Sequence, residues 1–510
     1  LNGVQVSAYV NDEWRATQGL IITAGLRVDV LAFDAQSAHN AAVDSIFGRR
    51  TTDFPRTRVH WSPRIGFNWR PNADDRTRIR GGAGLFAGRP PLGWLRSPLR
   101  QYGTGIRTLR CTGPSAVPDF TTDAAFQPDA CVTGRPYGNG AVDLVDRRLR
   151  LAEALRASLA VDRELPWDVV ATAEALYTRI QSDFLLVNLN LRGPQGFDRH
   201  GRIMYGTLDD ATGAHPAVVA DAFPEVIDLR NQSRNYSWSL TGQLTKRFAD
   251  RLEARASYTY SVMRDVQTLT DNPAGNPVFE HWAGARAIAG RHDELSPGIS
   301  SYDLPHRVLL AATYAAPWKR WATDVSVTYV GESGVRFTYL DSSATPGLGD
   351  LNADGTSAND PIYVPRNAAD LEEIRFAGEP AEVAQEQAAF EQFIQGSRCL
   401  RRQRGRIVER NSCVAPWVHS ANLSVRQALP PVSGHRLTLQ LDVFNVLNLL
   451  NARWGLMRVP NVNVLEHVAQ TSGGPDVSRS VFRFNPLVRR YSTANPESNY
   501  QLQLAARYQF

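Results

Sequence analysis

Segments in which apolar and polar residues alternate recur along this 510-residue chain, and the links between them are by turns very short and very long. The last segment shows the pattern most cleanly. Tyr500, Leu502, Leu504, Ala506, Tyr508 and Phe510 fall on one side of an extended strand. Asn499, Gln501, Gln503, Ala505, Arg507 and Gln509 fall on the other, because strand side chains alternate with period two. Thirteen such segments lie near 4–14, 19–31, 61–70, 76–88, 151–164, 167–181, 234–248, 251–264, 305–316, 320–331, 417–428, 435–447 and 499–510. The short links are 15–18, 71–75, 165–166, 249–250, 317–319 and 430–434. The long ones cover about 32–60, 89–150, 182–233, 265–304, 332–416 and 448–498.

A sandwich or propeller has no reason to keep turns short at one end and long at the other, since its loops vary at both. A barrel in an outer membrane does: turns are short on the periplasmic side and long outside, and strands alternate lipid-facing with lumen-facing residues. The segment 251–262 sets Leu252, Ala254, Ala256, Tyr258, Tyr260 and Val262 against Glu253, Arg255, Ser257, Thr259 and Ser261. Tryptophan clusters at both ends: Trp14, Trp69, Trp167, Trp318 and Trp321 by short turns, and Trp61, Trp238 and Trp417 by long loops. Two aromatic girdles give that distribution. The expected fold is all-β, a transmembrane antiparallel up-and-down β-barrel, in the outer membrane of a Gram-negative-type envelope.

Composition is compatible. The chain is 43% hydrophobic and 21% charged, and no apolar run reaches the length of a membrane helix. The net charge of +5 is small for this length, and no basic cluster with interleaved aromatics points to nucleic acid. The chain opens inside a strand, Val4–Val10, without a secretion signal, so a fragment or trimmed chain is expected. Thirteen is odd, whereas single-chain bacterial barrels have even strand numbers, so an odd number of N-terminal strands is expected to be missing.

The residues Tyr9-Val10-Asn11-Asp12-Glu13-Trp14-Arg15-Ala16-Thr17 followed by Gly25-Leu26-Arg27-Val28-Asp29 resemble a strand pair of TonB-dependent outer-membrane receptors, especially the Oar-like group. So do Ser62–Phe67, Arg80–Phe86, Asp303–Arg307 and Asp442–Asn448. The final Tyr508-Gln509-Phe510 is similar to a barrel-assembly signal. Val28 departs from the family, which often has tyrosine there. The resemblance implies a twenty-two-stranded barrel of which these are the last thirteen strands, with an N-terminal plug domain and its TonB-binding segment absent from this chain. It further implies TonB-coupled uptake of an extracellular ligand without covalent chemistry, and partners in lipid, the TonB system and the barrel-assembly machinery.

Several local features ask for a role. Asp350, Asn352 and Asp354, followed by Gly355, place oxygens as in the front half of a calcium loop. Pro361 stands where a bidentate glutamate is expected, so Asn359 or Asp360 would substitute, and a plain Asp/Asn/Gly turn is the other reading. No cofactor is expected beyond the structural calcium ion that the first of these two readings would supply. Cys111, Cys131, Cys399 and Cys413 allow three pairings, of which Cys111–Cys131 and Cys399–Cys413 are the simplest. Disulfides suit an oxidising compartment. Arg64, Arg78 and Arg80 lie on the polar strand face, either towards a plug or anionic ligand or simply solvated. Glu379–Gln395 breaks the strand pattern and reads as a helix with Phe390, Phe393 and Ile394 on one face. Asp303–Arg307 reads as the turn leading into a strand, and no nucleophile elbow accompanies its histidine. His419, His435 and His467 lack metal-ligand spacing. No catalytic constellation emerges.

The expected function is therefore an outer-membrane receptor and transporter barrel whose ligand is not legible. A surface or adhesion protein that uses the barrel only as an anchor is the first alternative. A secreted, soluble, β-rich binding protein, such as a carbohydrate binder, is the second.

Overall fold

The computed structural model describes residues 1–71, 76–105, 116–128, 130–132, 140–209, 213–248, 251–269, 277–318, 321–345, 348–357, 359–430, 434–471 and 479–510. Thirteen long strands form one sheet. They are β1 (Asn2–Arg15), β2 (Leu20–Asp34), β3 (Arg58–Trp69), β4 (Thr77–Ala87), β5 (Glu153–Leu165), β6 (Val169–Asn188), β7 (Tyr236–Phe248), β8 (Leu252–Asp265), β9 (His306–Ala315), β10 (Ala322–Glu332), β11 (Val418–Ala428), β12 (Arg436–Phe444) and β13 (Gln501–Gln509). Each pairs antiparallel with its neighbours in sequence, from β1 at one edge to β13 at the other. This is the up-and-down order, and it puts every short turn at one end of the sheet and every long loop at the other.

Register makes one face continuously apolar. Tyr314, Val325, Val425, Leu441 and Leu504 lie opposite one another in a row across five strands. The next row on that face is Ala312, Val327, Leu423, Val443 and Leu502. Leu310, Val327, Leu441, Leu502 and Leu504 are exposed. Such a surface is stable only against lipid. The opposite face is polar and knitted across strands. Thr241 meets Thr259 at 2.9 Å, Ser424 donates to Asp442 at 2.6 Å, and Gln5 donates to Asp29 at 3.2 Å.

At the loop end of the apolar face, rings follow one another from strand to strand. Trp238 packs on Tyr260 (5.5 Å), Tyr260 on His306 (5.3 Å), His306 on Trp417 (6.1 Å), Trp417 on His419 (6.2 Å) and His419 on Tyr329 (6.2 Å). Tyr258 and Tyr329 bond the ring nitrogens of His306 and His419, both at 2.8 Å. At the turn end, Trp14, Trp69, Trp167, Trp318 and Trp321 are exposed. Trp167 and Asp168 form the β5–β6 turn with φ of 65° and 57°, the left-handed backbone that a tight hairpin uses.

The long loops are not irregular. They carry short strands and helices, and the three clusters of buried apolar residues are built mainly from them. The helix Pro380–Gln395 buries Phe390, Phe393 and Ile394 against Phe337, Tyr339, Phe376 and Phe484. Four boundaries differ from the sequence reading by three residues or more, among them the end of β2, at Asp34 rather than near 31, and the start of β3, at Arg58 rather than near 61. β6 runs to Asn188 rather than ending near 181, because its last six residues pair with a loop strand, Val226–Gln232, which in turn pairs with Val142–Val145. Phe184, Leu185 and Leu186 are buried there, so apolar–polar alternation is lost. β12 stops at Phe444 rather than near 447, and Val446–Leu450 is helical.

Candidate functional site: a stapled loop beside a cavity

The Asx-rich loop from Asp350 to Asp360 is drawn in on itself by its own side chains. Asp350 accepts the backbone N–H groups of Asp354 (3.0 Å) and Gly355 (2.8 Å). Asn352 Oδ1 also accepts from Asp354 N at 2.9 Å, and Asp354 Oδ1 from Thr356 N at 3.0 Å. Gly355 has φ of 98°, which a side chain would strain. Asp354 Oδ2 collects three further partners: His292 Nε2 (2.8 Å), Asn359 Nδ2 (2.9 Å) and Asn352 Nδ2 (3.1 Å). His467 Nδ1 accepts from Gly349 N at 3.0 Å and fixes the loop's start.

Asp360 is fully buried. It accepts from Leu351 N (3.1 Å) and from the Arg202 guanidinium (3.1 Å), which also reaches the Pro361 carbonyl (2.5 Å). Asp341, whose backbone N–H donates to the Asp360 carbonyl at 2.9 Å, is buried too, and its carboxylate oxygens have no hydrogen-bond partner among the described residues. Burial and the charge of Asp354 push Asp350 up to about 7. Burial drives Asp360 and Asp341 well above the usual carboxylate range, with Arg202 opposing it. All five residues of the expected calcium loop, Asp350, Asn352, Asp354, Asn359 and Asp360, are thus brought together and buried. Their present partners are backbone amides, the side-chain amides of Asn352 and Asn359, Arg202 and His292. Among the described residues no group of three His, Cys, Asp or Glu side chains is arranged to hold a metal ion.

Arg202 and Leu351 also line a cavity of about 420 Å³ next to this loop. Its walls come from three long loops, through residues within 195–208, Leu351 with residues within 362–375, and Leu465 with residues within 479–482. Phe197, Leu371 and Phe482 supply apolar surface. His200 stacks on Tyr363 with ring centroids 3.7 Å apart and planes 18° from parallel. Burial pushes His200 down to about 4, so the ring is neutral at neutral pH. Positive charge comes from Arg199, Arg375 and Arg479. Arg479 grips Glu372 with two nitrogens, at 3.1 and 2.8 Å, and Arg199 reaches the same carboxylate at 3.3 Å. Those two guanidinium groups hold Glu372 below the usual carboxylate range.

The other residues singled out in the sequence lie elsewhere. Cys399 and Cys413 are joined by a disulfide. Cys131 is disulfide-bonded, and Cys111 lies outside the described residues. On the polar face of the sheet, Arg80 pairs with Asp162 (3.2 Å) and Glu174 (3.3 Å), and Arg78 donates to Asn68 at 2.8 Å. Arg64 packs over Gly25 and Gly84 and has no ion-pair partner among the described residues. Asp303 is buried and pairs with Arg336 at 3.0 Å, not with His306. Tyr508 bonds His435 at 2.7 Å, and Phe510 is exposed.

The chain belongs to the outer membrane beta barrel domain family, whose sequence profile matches residues 1–473. It is an outer-membrane β-barrel protein. Among curated protein sequences, none matches it. Among solved structures, the ferric enterobactin receptor of Pseudomonas aeruginosa is similar at 12% identity and a TM-score of 0.41, covering 99% of this chain and 45% of that one. The siderophore receptor PirA of Acinetobacter baumannii is similar at 11% and 0.39, covering 88% and 42%. The outer membrane transporter YddB of Escherichia coli is similar at 10% and 0.43, covering 100% and 45%. The chain spans less than half the length of these structures.

Proposed function

We propose that the chain is the C-terminal barrel portion of a TonB-dependent receptor, which takes up an extracellular ligand and carries out no covalent chemistry. The observation that carries the reading is the tier of folded long loops, which encloses a cavity of about 420 Å³ at one end of a sheet with one lipid-type and one polar face. A barrel serving only as an anchor needs no such cavity, and the polar face suits a wet lumen or a plug. In the complete protein, nine further strands would bring the thirteen to twenty-two, and a plug would fill the lumen. Arg64, the lumen-side arginine without an ion-pair partner among the described residues, is then a contact for plug carboxylates. Membership of an outer-membrane family removes the secreted, soluble alternative.

The test is binding of the purified periplasmic domain of TonB to the full-length protein in detergent. Binding through a segment upstream of Leu1 supports the receptor. A full-length protein that does not bind TonB is an anchor, and the proposal fails.

A further inference from the structure

We propose that the loop cavity binds a small amphipathic organic anion, its charged group held by Arg479 and Arg199 and its apolar body against Phe197, Leu371 and Phe482. The proposal rests on the receptor reading and adds the chemical class of the ligand.

Three observations converge. First, two arginines that line the cavity, Arg199 and Arg479, already hold a carboxylate at its edge. The Arg479 fork holds both oxygens of Glu372, at 3.1 and 2.8 Å, and Arg199 adds a third contact at 3.3 Å. Bidentate guanidinium–carboxylate pairing is the geometry that recognises planar anions. Second, the carboxylate now in place is weakly committed. The Glu372 side chain is 66% exposed, whereas that of Arg479 is 17% exposed. An exposed pair is worth little, so exchange for another carboxylate is cheap. Phe197, Leu371 and Phe482 line the same cavity, so a ligand with an apolar body gains contact there beside the ion pair. Third, the acids that line the cavity are already engaged, Asp198 by Arg202 at 3.6 Å and Glu373 by Arg366 at 2.6 Å, which leaves one lining cation over. Arg375 lines the same cavity, has no ion-pair partner among the described residues, and meets only the Leu371 carbonyl at 3.4 Å. The neutral His200–Tyr363 stack adds a flat wall without adding charge.

Glu372 is, in this account, an internal stand-in for the ligand's charged group. That has a consequence a structural ion pair does not share: removing Glu372 strengthens ligand binding, while removing Arg479 weakens it.

The experiment is equilibrium dialysis of the full-length protein in detergent against 2-naphthoate and its uncharged counterpart 2-naphthamide. Naphthoate is expected to bind one to one and about tenfold or more tighter than naphthamide, the factor that one charge-assisted pair supplies. Glu372→Gln is expected to raise naphthoate affinity about threefold to tenfold, and Arg479→Gln to lower it about tenfold, with naphthamide unchanged in both. Retained naphthamide binding shows that the cavity is intact in each variant. Equal affinities for the two probes, no naphthoate binding, or naphthoate affinity indifferent to both substitutions overturns the proposal. The assay involves neither uptake nor TonB, so its failure leaves the receptor reading standing, and loss of TonB binding leaves this result standing.

Discussion

Arg202 and Asp360, 158 positions apart in the chain, form an ion pair of 3.1 Å in which the two side chains are 2% and 0% exposed. The pair ties the cavity wall to the stapled Asx loop. Leaving either charge buried alone costs about 3–5 kcal/mol. Arg202→Met is therefore expected to loosen the loop tier without dissolving the barrel. Limited proteolysis should cut within 350–375 many times faster, while resistance to unfolding in detergent, a property of the strands, is retained.

The lipid-facing assignment makes neighbouring residues respond oppositely. Leu441 lies in the mid-face apolar row, and Gln440 faces the other way. Leu441→Arg should cost about 2–4 kcal/mol in denaturant titration of the membrane-inserted protein, the value for a charge at mid-bilayer. Gln440→Arg should cost much less, because it enters a polar surface.

The bond between Cys399 and Cys413 closes a segment of 14 residues. Loop-closure entropy alone gives it about 3 kcal/mol. Reduction, or Cys399→Ser with Cys413→Ser, should lower the thermal midpoint of the loop tier and expose the helix Pro380–Gln395 to protease, and leave the strands' melting unchanged.

Glu225 supplies a pH dependence. Burial alone pushes its carboxyl up to about 7. An unfolded glutamate titrates near about 4.3, so the folded loop holds the proton more tightly. Its contribution to stability is then fully present below the unfolded value and is lost as pH rises through about 7. The loop-tier melting midpoint should fall over that window, and Glu225→Gln should flatten the fall.

We further propose calcium as a conditional guest of the Asp350–Asp360 loop. To hold the ion, Asp350, Asp354 and Asp360 would have to exchange their present amide, His292 and Arg202 donors for it. Calorimetry on the full-length protein should show uptake of one Ca²⁺ that Asp354→Asn abolishes. Absence of any calcium heat at millimolar concentration removes the ion from the account.

How much of this could be read from the residues follows from where each is solvated. Leu437, Leu439, Leu441 and Val443 alternate with polar neighbours because lipid and water impose period two, and this pattern spells out every long strand. Where protein replaces solvent on both sides, as at Phe184–Leu186, the alternation stops and the strand's true end is hidden. The cavity is less legible still. Arg199 and Arg479 meet Glu372 across 173 and 107 positions, and nothing local marks the three as partners. The Asx loop was visible because its residues are contiguous. Its partners Arg202 and His292, which come from other loops, were not.

The central claim is that one face of this sheet meets lipid and the other does not. Single spin labels carried in turn at 437 to 443 of the full-length protein in bilayers test it, by collision with oxygen and with a water-soluble nickel chelate. The account predicts a period of two: oxygen reaches labels at Leu437, Leu439, Leu441 and Val443, and nickel reaches those at Thr438, Gln440 and Asp442. Uniform nickel access along the strand, or no alternation at all, would contradict it.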